Sequence, residues 1–94
     1  MRTEVTENIE LMAEQLEEDM STEADKCIAL AVSRCKRYGR SVEIVKDNTL
    51  IDLVLMKLIR TREIPDNDPK RLDEVKDSVN YLLFLLMRGA KKND

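Results

Sequence analysis

Histidine is absent from this 94-residue chain, and aromatic residues nearly so: Tyr38, Tyr81 and Phe84 are the full set. Without histidine, nucleophiles of the Ser-His or Cys-His kind are excluded. Two cysteines without histidine cannot build an ordinary zinc site. With so few rings, the core must come from Leu, Ile, Val, Met and Ala. Glycine and proline are confined to Gly39, Gly89, Pro65 and Pro69, which favours helices over a turn-rich β fold. Charge interrupts every apolar run well short of the ~20 residues a membrane span needs. The N-terminus is acidic and lacks a long apolar stretch, so no signal peptide is expected. On one helix, Cys27 and Cys35 would stand about 12 Å apart along the axis, beyond the about 7 Å that a disulfide tolerates between Cα atoms. Buried thiols in a reducing compartment follow, and the cytoplasm is the expected location, that of the host if the chain is viral.

The length fits one helical domain over residues 1–94, with frayed ends at 1–4 and 90–94. A chain this short buries only about 60–65% of its unfolded surface, so association would help it. The net charge of −3 is unevenly spread. Residues 1–25 hold nine acids against one base, a net −8, and residues 26–94 hold fifteen bases against ten acids, a net +5. The acidic segment could cover a basic surface in the same chain or in a second one, and the basic body suits phosphate-bearing ligands.

Periodicity predicts four helices. The first runs from about Thr6 to Met20 on the stripe Val5, Ile9, Met12, Leu16 and Met20, at spacings of four and three. Ser21 and Thr22 could cap the second, with Glu23 and Asp25 at its positive end. Its stripe of small residues reaches Cys35, and Tyr38-Gly39 ends it. Residues 40–48 fit either a helical turn or an extended plug. Asn48 or Thr49 could cap the third helix, which reaches about Arg62 and is apolar almost all round, as a central helix would be. Asp68-Pro69 is a start signal for the last, which runs to Arg88, is stopped by Gly89, and has Leu72, Val75, Val79, Leu82, Leu83 and Leu86 as its core stripe. These elements predict an all-α, four-helix-bundle-like fold. The apolar surface on helices three and four exceeds what one small bundle covers, which predicts a homodimer.

Two polar clusters interrupt these apolar helices. Asp52, Lys57 and Arg60 share an arc of about 140° on helix three. On helix four, Glu74, Asp77, Asn80 and Tyr81 recur at spacings of three and four. An antiparallel pair would bring Lys57 and Arg60 opposite Glu74 and Asp77. One reading is an interhelical salt-bridge network that fixes register. The other is a ligand site for a charged phosphate, built from Asp52, Lys57, Arg60, Asp77, Asn80 and Tyr81. A second patch, Arg34, Lys36, Arg37 and Arg40 around Tyr38, reads either as cations on a helix C-terminus or as a nucleic-acid contact. With a negative net charge and no nucleic-acid motif, nucleic acid is not the expected partner.

Asp52, Lys57 and Arg60, then Arg62 and Asp77-x-x-Asn80-Tyr81, with Tyr38-Gly39 before them, resemble the nucleotide-modification-associated domain 1 family over residues 34–88. That family is typical of phages and bacteria and is similar to the all-α MazG-like nucleotide pyrophosphatases. The resemblance implies a MazG-like packing, a nucleotide ligand, and Mg²⁺ held by carboxylates from two helices. Glu74-Val75-Lys76-Asp77 resembles the Glu-x-x-Asp half of the enzyme motif, which makes Glu74 and Asp77 the candidate metal ligands. The Glu-Glu-x-x-Glu half is missing from helix three, where Lys57 and Arg60 stand with Asp52. Two cations there weaken a Mg²⁺ site and suit direct phosphate binding. Binding of a nucleotide or other phosphate-bearing ligand, with little or no pyrophosphohydrolase activity, is therefore expected, and whether the chain is an enzyme at all stays open. The competing expectation is a helical interaction protein that docks to a host or self protein through the acidic helix at residues 7–19, with its polar clusters purely structural.

Overall fold

A computed structural model describes residues 3–92. Among them are three α-helices and no strand: α1 spans Glu4–Tyr38, α2 spans Asp47–Glu63 and α3 spans Pro69–Lys92, with a 3-10 turn at Ser41–Ile44 between the first two. The all-α class is as expected, but three helices stand where four were predicted.

The missing break lies at Ser21 and Thr22. No glycine or proline occurs between residues 4 and 38, so nothing obliges the helix to end there. Instead of capping a new helix, the Thr22 hydroxyl donates 2.9 Å back to the Glu18 carbonyl, a bond that interior helical threonines commonly make. One turn on, Lys26 pairs with Glu23 at 3.0 Å, which bridges the predicted break. Helix α1 is thus one rod. It starts at Thr3, whose hydroxyl accepts from the Thr6 amide at 3.2 Å. It stops at Gly39, whose φ of 71° only glycine adopts freely, with its amide donating to the Cys35 carbonyl at 2.8 Å.

Lys46 rather than Asn48 or Thr49 is the capping position of α2. Asp68 caps α3 as its sequence predicts, accepting from the Lys70 amide at 3.0 Å. Gly89 does not stop α3, which continues through Ala90, Lys91 and Lys92. The last turns are tied down from outside: Arg88 donates to Asp47 at 2.9 Å and to the Val42 carbonyl at 2.8 Å, and Lys92 reaches Asp47 at 3.3 Å. Of the expected frayed ends, Glu4 and residues 90–92 are helical, while residues 1, 2, 93 and 94 lie outside the described residues.

Helix α3, not α2, is the element against which both other helices pack. Leu50 and Val54 are the buried apolar residues of α2, and the side of it bearing Ile51, Leu55, Leu58 and Ile59 is exposed. On α3 the arrangement is inverted relative to its sequence pattern. The face turned inward carries Asp77, Ser78 and Asn80, all buried, whereas Leu72 and Leu86 of the expected core stripe are 63% and 69% exposed. Cys27 is buried and Cys35 exposed. The radius of gyration is 17.2 Å, against about 12 Å for a compact chain of this length. The longest extent is 54 Å, and the 35 residues of α1 alone rise about 52 Å.

Two outcomes follow. Proline is tolerated at the first position of a helix but costs about 3 kcal/mol in an interior. Glu23→Pro should therefore lower thermal stability and helicity by circular dichroism; an unchanged melt would indicate two helices. At the other end, the hydrogen bonds from Arg88 and then Lys92 hold the Asp47 carboxyl below its ordinary value of 3.8. A lowered folded-state value stabilises the fold above the unfolded value, and that contribution is lost as pH falls through the lowered one. Acid denaturation below about pH 3.8 should accordingly be shallower for Asp47→Asn than for the natural chain.

Candidate functional site

The polar residues of α2 and α3 meet as the antiparallel arrangement requires, with a third partner from α1. Lys57 Nζ lies 3.1 Å from Glu74 Oε2 and 3.1 Å from Asp77 Oδ2. The other Asp77 oxygen accepts from Arg34 Nη1 at 2.6 Å. Asp77, 8% exposed, is thus held by one cation from α1 and one from α2. Neighbouring Asn80, 4% exposed, donates through Nδ2 to the Cys27 carbonyl at 3.0 Å. That bond uses a carbonyl in the middle of α1 and pins α1 to α3. The Asn80 amide oxygen is buried with no hydrogen-bond partner.

Loss of water around Lys57 pulls its ammonium toward a lower pKa. The short contacts and negative charge of Asp77 and Glu74 outweigh that loss, so Lys57 titrates above the ordinary lysine value of 10.5. A raised lysine stabilises the fold fully below its unfolded value, and the contribution disappears as pH rises through the raised one. Lys57 therefore stays charged across the neutral range.

Asp52 and Arg60 take no part. Both sit at exposed positions of α2. Of the six expected ligand residues, Lys57, Asp77 and Asn80 converge with Tyr81 alongside, while Arg34 was assigned to a different patch. Its place could have been found from the need of Asp77 for a second cation, had the fold of α1 back onto α3 been legible. Elsewhere in that patch, Arg40 pairs with Glu43 at 2.5 Å, and Arg37 lies over the Tyr38 ring at 5.4 Å.

Glu74 and Asp77 do not fit Mg²⁺. The position between their oxygens, where a shared cation would sit, is taken by the Lys57 ammonium at 3.1 Å from each. The remaining Asp77 oxygen is engaged by Arg34. A hard divalent ion asks for several oxygen donors, and the side chains here place cations where those donors would have to be.

Beside this network opens a cleft of about 670 Å³, bounded by the C-terminal end of α1, the 3-10 turn and the inner face of α3. Arg34, Tyr38, Arg40, Asn80, Tyr81 and Phe84 line it, with Val42, Val45 and Leu53 as its apolar floor. The volume falls in the range of small-molecule sites. All three aromatic residues of the chain are gathered there, which no helical period could have shown, because Tyr38 joins the others only through the tertiary fold. No protein-family model matches this chain, and no curated protein and no solved structure is found to be similar to it.

Removing the Lys57 cation strands Glu74 and leaves Asp77 with Arg34 alone. Breaking a buried pair costs about 3–5 kcal/mol, and the open cleft alongside places this one at the lower end. Lys57→Met should thus lose about 3 kcal/mol in chemical denaturation, while Arg60→Met, on the exposed side of α2, should stay within about 0.5 kcal/mol of the natural chain. Equal effects would show that the two cations share one site after all.

Proposed function

We propose that the cleft between α1 and α3 binds a small phosphate-bearing ligand of the nucleotide class and does not hydrolyse it. The observation that carries this reading is the Asn80 amide oxygen, buried without a partner beside a cleft lined by two arginines and three aromatic rings. A buried acceptor left unpaired costs about 1–3 kcal/mol, and since almost none of its surface is open, a donor on a ligand would recover it with a small shift of the cleft wall. Rings that stack and an amide that accepts a hydrogen bond suit a heterocyclic base. Guanidinium groups at the cleft wall suit its phosphate. The nucleotide class is also what the resemblance to the nucleotide-modification-associated family implies. Hydrolysis by the Mg²⁺ route is disfavoured by the ammonium between Glu74 and Asp77. Lys57 on this reading positions α3 and does not touch the ligand.

Calorimetric titration with a panel of canonical and modified nucleotides should find one that binds. Arg34→Gln, which spares the Lys57 pairs, should weaken it about tenfold or more, the value of about 1.4 kcal/mol in binding. Binding that is absent throughout the panel, or indifferent to Arg34, contradicts the proposal. Pyrophosphate release with Mg²⁺ or Mn²⁺ that vanishes in Asp77→Ala would replace it with the enzyme reading.

A second reading, that of a helical interaction protein, is favoured by a separate observation. The apolar side chains of α1 from Val5 to Met20 are exposed, as are those of the outer faces of α2 and α3. The two readings are compatible, since the cleft opens on the Asp77, Asn80, Tyr81 and Phe84 side of α3 and not on its exposed apolar face.

A further inference from the structure

The most unusual surface of this chain is the outer face of α3. Leu72, Val75, Leu82 and Leu86 are exposed along it, over about 21 Å of helix. A matching length of apolar surface is exposed elsewhere: Val5, Ile9, Met12, Leu16 and Met20 form one stripe on α1, over about 22 Å. The two cannot meet within one chain. Helix α1 is a single rod, and its Cys27 and Arg34 already sit on the opposite, polar face of α3, so its first half is carried away from the apolar one.

We propose that two copies of this chain form a reciprocal homodimer in which residues 5–20 of each α1 lie across the apolar outer face of α3 in the other copy. Area and charge both support a second copy as the occupant. The chain exposes 7865 Å², whereas a compact protein of its 10.9 kDa mass exposes about 5,600 Å². The excess, about 2,300 Å² per chain, is the amount that an obligate dimer interface buries. The arm is part of a segment of net −8 and the remainder of the chain is net +5, so placing arm on body brings opposite charges together. Pairing arm with arm would instead set two strongly acidic segments side by side. A two-fold axis makes both contacts equivalent and closes the assembly at two. This inference does not depend on the cleft being a ligand site.

Light scattering on the full chain at micromolar concentration should give twice the 10.9 kDa chain mass. Leu16→Asp on the arm and Leu86→Asp on the outer face should each halve that mass. Mixed in equal amounts, the two variants should recover a dimer, because the intact arm of one meets the intact face of the other. Arm-to-arm or face-to-face pairing cannot be rescued in this way, so a mixture that stays monomeric overturns the arrangement. A natural chain that is monomeric and keeps full helicity on dilution overturns the dimer itself. Should either variant fail to fold, the dilution experiment on the natural chain decides: helicity that falls together with the mass supports the proposal.

Discussion

One carboxylate sets the orientation of every helix in this protein. Asp77 is the residue of α3 that ion-pairs with both other helices, through Arg34 at 2.6 Å and Lys57 at 3.1 Å. A carboxylate at this depth needs cationic partners, and these two come from α1 and α2. Meeting both fixes the rotation of α3 about its own axis. Asn80, one turn further on, then falls against the middle of α1, where it bonds the Cys27 carbonyl. The cleft exists because α1 is held at that crossing while its C-terminal end, turned by Gly39, leaves room above Tyr81 and Phe84.

The same rotation has a consequence for the apolar residues. Burying a leucine fully is worth about 1.5–3 kcal/mol, and α3 turns Leu72, Leu82 and Leu86 outward. Partly exposed as they are, the three forfeit about 3–5 kcal/mol together, comparable to the about 3–5 kcal/mol at stake in a buried ion pair. Covering the outer face, as in the proposed dimer, would recover that loss. The buried polar junction and the exposed apolar stripe are therefore two sides of one rotation of α3. The extended shape, with a longest dimension of 54 Å, leaves that stripe open.

Much of this was legible before folding was considered. Period and composition specify helices, Asp68-Pro69 marks the start of α3 and Gly39 the end of α1, and the spacing of Lys57 against Glu74 and Asp77 anticipates their meeting. The errors have physical causes. Ser21 and Thr22 read as a cap because hydroxyls serve caps and interiors alike, and only the bond to the Glu18 carbonyl distinguishes them. Gly89 read as a stop because the anchoring of Arg88 and Lys92 on Asp47 is a contact between residues more than forty positions apart. The leucine stripe of α3 read as core on the sound assumption that apolar faces turn inward. Within one chain that assumption fails where a buried carboxylate governs the rotation. Arg34 went unassigned to the site for a related reason, since its pairing depends on where α1 crosses α3.

The account rests on Asp77 and Lys57 acting as a coupled pair across the α2–α3 contact. A double-mutant cycle with Asp77→Asn, Lys57→Met and the double variant, followed by chemical denaturation, tests it most directly. The account predicts a coupling of about 1–3 kcal/mol, as for buried residues in one network. Effects that add to within about 0.5 kcal/mol would show that the pair is incidental, and that something other than this junction turns the polar face of α3 inward.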